Sequence, residues 1–146
     1  MTIRIMTIDD YEGVYDLWMS CLGMGLNNLD DSNEGISKFL CRNPGTCFVA
    51  EEDAEIVGAI LAGNDGRRGY IYHTAVNPGF RNQGIGTALV ETVIGALKAL
   101  GINKIALVVF SKNKDGNIFW EKLGFRTRDD LVYRNKTITE MIRIET

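Results

Sequence analysis

Between Val76 and Leu89 the chain reads VNPGFRNQGIGTAL, and no other stretch limits its fold as much. The run YIYHTAV, Tyr70 to Val76, reads as a strand, and Pro78 stops it because proline cannot donate to a sheet ladder. From Ile85 to Leu100 the spacing predicts a helix: Ile85, Leu89, Val93, Leu97 and Leu100 line one side, and Gly101 ends it. Gly84 and Gly86 sit at the junction, so strand, turn and long helix follow one another without a linker. The first turn of such a helix carries partnerless N–H groups and the positive end of the dipole. Glycine backbone admits a close ligand, so the turn suits a phosphate or diphosphate, with Arg81 adding charge and Thr87 a hydroxyl. A glycine turn that only eases helix–strand packing is the plainer alternative. It is not a nucleoside-triphosphate loop, since no Gly-Lys-Ser/Thr follows. Nor is it the dinucleotide fingerprint, because Leu89 stands where a third glycine is required.

Around that junction, short apolar runs alternate with helical patterns. Ile3 to Met6 reads as a first strand, and Asp9 with Glu12 as a capping box for a helix burying Val14, Leu17, Trp18 and Cys21. Asp31 or Ser32 caps a second helix through Phe39 and Leu40. CFVAE and EIVGAILAG, either side of a short turn, form a hairpin. KIALVVF, apolar throughout, predicts a buried central strand, and FRTRDD with LVYRNKTI supplies the last strands. A short helix through NIFWEKL ends at Gly124. The expectation is one α/β domain over residues 1–146 with a mixed sheet. A net charge of -3 argues against general nucleic-acid binding, and no run is long and apolar enough for a membrane span or leader peptide. Cys21, Cys41 and Cys47 lack metal-ligand spacing and suit reduced thiols in the cytoplasm. With His73 as the only histidine, neither a histidine metal site nor a nucleophile–histidine triad is expected.

At VNPGFRNQGIGTAL the chain resembles the GNAT superfamily of acyl-CoA-dependent N-acyltransferases, whose motif is Arg/Gln-x-x-Gly-x-Gly/Ala after a strand ending in Val-x-Pro. Arg81, Gly84 and Gly86 fill it without a gap, YIYHTAV matches the preceding strand, and NKDGNIFWEKLGF matches a later Asn…aromatic…Leu-Gly-Phe motif. Two motifs in order over nearly the whole chain make the resemblance specific, and GNDGRRG is most like small bacterial members of unassigned substrate. The resemblance implies a mixed, mostly antiparallel sheet of about six to seven strands with flanking helices, splayed between strands four and five. It implies acetyl-CoA as co-substrate, no metal, a small-molecule or peptide amine as acceptor, and a homodimer. The amides of Arg81, Asn82, Gln83, Gly84, Ile85, Gly86 and Thr87 would hold the pyrophosphate. Thr74, Ala75 and Val76 would bond the pantetheine arm like an added strand. Asn113 would bond the arm or nearby backbone, with Gly116 and Phe119 flanking it. Lys112 and Lys114 read equally as a positive surface for the nucleotide and as solvated loop residues.

The implied reaction is direct attack of a neutral amine on the thioester, with the Val76 N–H polarising the carbonyl. Many relatives carry a glutamate at a position matching Tyr70 or Tyr72, and a tyrosine where this chain has Trp120. Strand alternation puts Tyr70, Tyr72, Thr74 and Val76 on one face, with Tyr72 lining the acceptor pocket. His73 then points the other way with Ile71 and Ala75. It reads as a satisfied core histidine ahead of a general base, unless a twist or bulge brings it in. Trp120 shapes the pocket or stabilises the sulfur, or simply packs in the core; indole cannot supply a proton. Tyr133 is a distant substitute acid. Residues 23–32 border the acceptor, where Asp30 and Asp31 cap a helix or attract a cationic amine, and Trp18, Met19 and Met24 offer an apolar wall. The missing glutamate and tyrosine leave a non-catalytic acyl-CoA-binding module as the alternative function.

Overall fold

The computed structural model describes residues 1–146. Along the chain run β1 (Thr2–Ile5), α1 (Tyr11–Met19), β2 (Leu26–Asn27), α2 (Asn33–Arg42), β3 (Phe48–Glu52), β4 (Glu55–Asn64), β5 (Gly69–Val76), α3 (Ile85–Ala99), β6 (Ile105–Ala106), α4 (Lys114–Lys122) and β7 (Arg143–Ile144). Five strands form one sheet in the order β1-β3-β4-β5-β6. Its ladders are antiparallel except β5–β6, which is parallel, so the sheet is mixed and mostly antiparallel as expected. The seven strands divide five and two, because β2 and β7 pair only with each other.

Each sheet face buries a separate apolar layer. On one side Val14, Leu17 and Trp18 of α1 and Ile36 and Leu40 of α2 pack over Val49, Ala59, Leu61 and Ala75. On the other, Leu89, Val90, Val93 and Leu97 of α3 pack over Ala50, Ile60, Ala62 and Ile71. Helix α3 follows its apolar stripe to Leu97, but Leu100 is 60% exposed. It falls at the C-cap, where Gly101 turns left-handed at φ +81°, and Ile102 takes the core position instead.

Two further expectations change. KIALVVF is not central: only Ile105 and Ala106 pair, along the sheet edge, while Val108 and Phe110 are 58% and 44% exposed. A run apolar on both faces does not specify how many neighbours it has, and here no strand lies outside it. Residues 125–142 form no strand. Arg128 instead clasps Asp130 with two hydrogen bonds of 2.8 Å, and the Leu131 N–H donates to the Arg128 carbonyl, closing a local turn. The first cap also moves. The Thr7 N–H, not a group at Asp9, donates to Asp10 Oδ2 at 2.9 Å, and Ser32 rather than Asp31 caps α2 by accepting from the Gly35 N–H.

Asp10 does more than cap. Its two oxygens accept from Arg4 Nη1 and Nη2 at 2.9 and 2.7 Å, and Arg4 Nε also reaches Glu51, so one guanidinium ties β1, β3 and the turn before α1. The hydrogen bond from Arg4, opposed by burial and aided by the Thr7 N–H, holds the Asp10 carboxyl below its ordinary range. The unfolded chain therefore takes up this proton at higher pH than the folded one. The contribution is complete above the unfolded value of about 3.9 and disappears as pH falls through the lowered folded value. Asp10→Asn should cost about 1–3 kcal/mol in urea unfolding at neutral pH. It should also flatten the loss of stability seen in the parent on acidification. A second test lies in the β3–β4 turn, where Asp53 and Ala54 both adopt positive φ, +50° and +64°. Such a turn favours glycine, so Ala54→Gly should stabilise by roughly 0.5–1 kcal/mol, read as a raised urea midpoint.

Candidate active site

The site begins with an extra residue in β5. Gly58, Ala59 and Ile60 of β4 face Val76, Ala75 and Thr74, but two residues further along β4, Ala62 faces Ile71. Three steps on β5 match two on β4, so Tyr72 and His73 share a bulge. The bulge breaks the alternation expected for YIYHTAV. Ile71 and Val76 belong to the α3 layer and Ala75 to the α1 layer. Tyr72 and His73 both turn toward α1 and α2. The Tyr72 ring stands edge-on to Phe39 at 5.5 Å, and the His73 ring stands edge-on to Trp18 at 5.0 Å. Tyr72 and Val76 therefore occupy opposite faces, and His73 joins Tyr72 rather than Ile71.

His73 is largely buried and its ring is satisfied by a carboxylate. Its Nε2 lies 2.7 Å from Asp31 Oδ1, and Asp31 is 4% exposed. A carboxylate can only accept, so Nε2 donates a ring proton to Asp31, and Nδ1 is the ring nitrogen without a protein partner. Asp31 is fixed in turn: its Oδ2 accepts from the Asn27 N–H at 2.8 Å, and its carbonyl accepts from Tyr11 Oη at 2.6 Å. The segment between α1 and α2 is thus pinned to the bulge. Beside it Trp18 Nε1 is buried with no hydrogen-bond partner. From sequence, Asp31 reads only as a cap or an ammonium attractor. Ser32 already fills the cap, and that spare carboxylate beside a lone histidine was the available signal.

The Tyr70 and Tyr72 rings meet at a tilt of 48° with centroids 4.5 Å apart, and Tyr72 is 52% exposed. Burial pushes both phenols up; for Tyr72 the charge of Asp30 adds to it, and for Tyr70 the proximity of Tyr133. Both tyrosines keep their protons.

At the other end of β5 lies the glycine turn. Asn82 and Gly84 take positive φ, +63° and +82°, reversing the chain so that α3 starts beside the strand's end. No protein acceptor bonds the amides of residues 81 to 87, and Ala88 is the first to bond back, to the Gly84 carbonyl. Ile85 is buried; Asn82, Gln83 and Gly84 are exposed, with Thr87 half-buried. Arg81 folds back: its Nε donates to the Val76 carbonyl at 3.3 Å and its Nη2 lies 3.7 Å from Cys21 Sγ. Alongside, the β5–β6 ladder ends at Tyr70 and Ala106, so no strand pairs with Ile71 to Val76 on that side. This is the splay expected between strands four and five. The short β2, absent from that expectation, makes them β5 and β6.

The α4 residues have mostly structural duties. Asn113 Oδ1 caps α4, accepting from the Gly116 N–H at 2.9 Å. A Cβ on Gly116 would meet Asn113 Nδ2 at 2.4 Å, so the cap itself requires the glycine. Phe119 packs on Gly86, where an added Cβ would lie 3.2 Å from its ring. Trp120 stands edge-on between Phe119 and Phe125, at 5.0 and 5.2 Å, within the α3 layer. Lys112 and Lys114 are exposed. Met19 is exposed, whereas Trp18 is wholly buried, so they do not form one wall. No group of three or more His, Cys, Asp or Glu side chains could hold a metal ion, and no helix is long and apolar enough to cross a membrane.

A family model described as the acetyltransferase (GNAT) family matches residues 11–125. An acetyltransferase of Pectobacterium atrosepticum is 36% identical over 140 residues, covering 96% of this chain and 98% of that protein. The PaiA N-acetyltransferase of Thermoplasma acidophilum, solved in complex with coenzyme A, superposes with a TM-score of 0.76 at 19% identity, over 97% of this chain and 96% of that one. The aminoglycoside enzyme AAC(6')-Iy, solved with a bisubstrate analogue of coenzyme A and acetylneamine, gives a TM-score of 0.71 at 19% identity, over 93% and 97%. At such identities the two structures speak for the fold. The family match spans the bulged strand, the glycine turn and α3 together, and the chain belongs to the GNAT acetyltransferase family.

Proposed function

We propose that this chain transfers the acetyl group of acetyl-CoA to a primary amine by direct attack within a ternary complex. The observation that carries the reading is the row of unbonded amides from Arg81 to Thr87 at the start of a long helix. Those donors, the dipole behind them and the Arg81 guanidinium suit the diphosphate of coenzyme A. The neighbour solved with coenzyme A shares this fold. The pantetheine arm would run along the open side of β5 past Thr74, Ala75 and Val76, in the splay that β6 leaves. Phe119, packed on Gly86, would border it, with Asn113, Gly116 and Trp120 supporting that wall.

The acceptor would approach from the α1–α2 face, past Tyr72. There His73 offers a lone pair at Nδ1 while Asp31 holds its other nitrogen. The amine nitrogen bonds to the thioester carbon as its proton passes to Nδ1, and the Val76 N–H steadies the charge on the carbonyl oxygen. The carbon–sulfur bond then breaks, the thiolate leaves with the electron pair, and water protonates it. Trp120 is held by two aromatic neighbours and has no proton to give. Positioning supplies most of the advantage, because both reactants meet at one bulge.

The test is acetyl-CoA turnover against a panel of amines, read as release of free thiol. Amine-dependent release is expected, and tight coenzyme A binding with no amine raising release above hydrolysis would overturn the transfer. Arg81→Glu should weaken coenzyme A binding at least tenfold with an unchanged circular dichroism spectrum, and normal binding would refute the cradle. His73→Gln should lower kcat by about 10²-fold while leaving KM for acetyl-CoA near its parent value. An unaltered kcat would remove His73 from the chemistry.

A further inference from the structure

Where β6 parts from β5, the chain beyond it becomes the far bank of the gap. The last paired residues are Tyr70 and Ala106. Counting on from them, with the bulge taking one extra residue on β5, brings Phe110 level with Ala75, beside Val76. Phe110 is held there from two sides. Its carbonyl accepts from the Asn113 N–H at 3.0 Å and from Asn117 Nδ2 at 3.1 Å, which ties it to the first turn of α4. Its ring rests on Gly25, where an added Cβ would lie 3.5 Å from Cε2. Gly25 is itself fixed at φ +72°. The Met24 N–H before it donates to Thr146 Oγ1 at 3.0 Å, and Leu26 after it pairs with Ile144. The ring therefore spans from α4 to the segment between α1 and α2, across the gap. It belongs to neither apolar layer and stays 44% exposed, so core packing does not account for it.

Resting on the transfer proposed above, we infer that Phe110 limits the length of the acyl group, so that acetyl-CoA is accepted and longer acyl-CoAs are rejected. The assignment follows from the directions around the thioester carbon. Sulfur arrives along β5, the oxygen faces the Val76 N–H, and the amine comes from the α1–α2 face. The acyl chain is left with the direction across the gap, toward Phe110. Cys21 does not set the limit, because its sulfur lies 3.6 Å from the Val76 carbonyl, on the near bank. Nor do Phe119 and Trp120, which pack in the α3 layer at Gly86. Each methylene beyond the methyl group must push the ring off Gly25 or turn aside into water.

The experiment measures binding of coenzyme A, acetyl-CoA and butyryl-CoA by calorimetry with no amine present, and turnover of both thioesters by thiol release with the amine panel. The parent should bind butyryl-CoA about tenfold more weakly than acetyl-CoA, and Phe110→Ala should bring the two within about twofold. Phe110→Leu should fall between them. Val108→Ala, on the same exposed edge, should keep the parent's ratio. Unacylated coenzyme A should bind alike to all four proteins, since the ring faces the acyl end alone. Equal binding of the two thioesters by the parent, a parent-like ratio in Phe110→Ala, or an equal effect of Val108→Ala overturns the inference whatever the turnover. The expected ratios without amine-dependent thiol release overturn the transfer reaction and leave the acyl wall standing.

Discussion

One inserted residue in the fifth strand sets most of what is specific to this molecule. Without the bulge at Tyr72 and His73, strand alternation would put these two side chains on opposite faces, so the contacts of Tyr72 with Phe39 and of His73 with Asp31 could not both form. Either the aromatic pair would lose Phe39 or the segment between the first two helices would lose its anchor to the sheet. A bulge costs ladder hydrogen bonds and is retained only where surrounding contacts over-determine it. Here those contacts are the Trp18 ring, the buried Asp31 carboxylate and the Tyr11 hydroxyl beneath it.

The two halves of the site rest on different physics. At the glycine turn, backbone geometry does the positioning: two left-handed residues reverse the chain and leave a row of amides without internal partners. At the bulge, side chains do it through a short polar relay sunk in an apolar layer. The first half depends on residues that accept a left-handed backbone, Asn82 and Gly84, more than on the exposed Gln83 side chain. The second half depends on its side chains, since each member of the relay satisfies another that would be stranded in a low-dielectric interior.

Much of the fold could be read from patterns with a single physical meaning. The stripe along α3, the glycine at its end and the short turn between β3 and β4 each admit one structure. KIALVVF did not, because apolarity on both faces is compatible with an edge strand whose outer neighbour is missing. Residues 125–142 misled for the converse reason: enough β-formers to suggest strands, but an Arg128–Asp130 clasp that closes locally. In the site, the glycine turn was legible because glycine spacing reports backbone shape. That Tyr72 and His73 lie on the same side of β5 was not, since a bulge depends on a mismatch with β4 that one strand's sequence cannot express. Asn113 reads from the sequence as bonding the arm or nearby backbone, and its Oδ1 takes the Gly116 N–H, while the cap itself needs the space that Gly116 leaves.

In the proposed transfer, the folded-back Arg81 would bear on the end of the catalytic cycle as well as its start. Its guanidinium already has a carbonyl, that of Val76, to lean on, with the Cys21 sulfur nearby. A cation with such a resting place trades one set of contacts for another when an anion departs, so it is not left bare. An enzyme that must discard a spent carrier before accepting a fresh one gains from that exchange, because product release no longer requires exposing a naked charge.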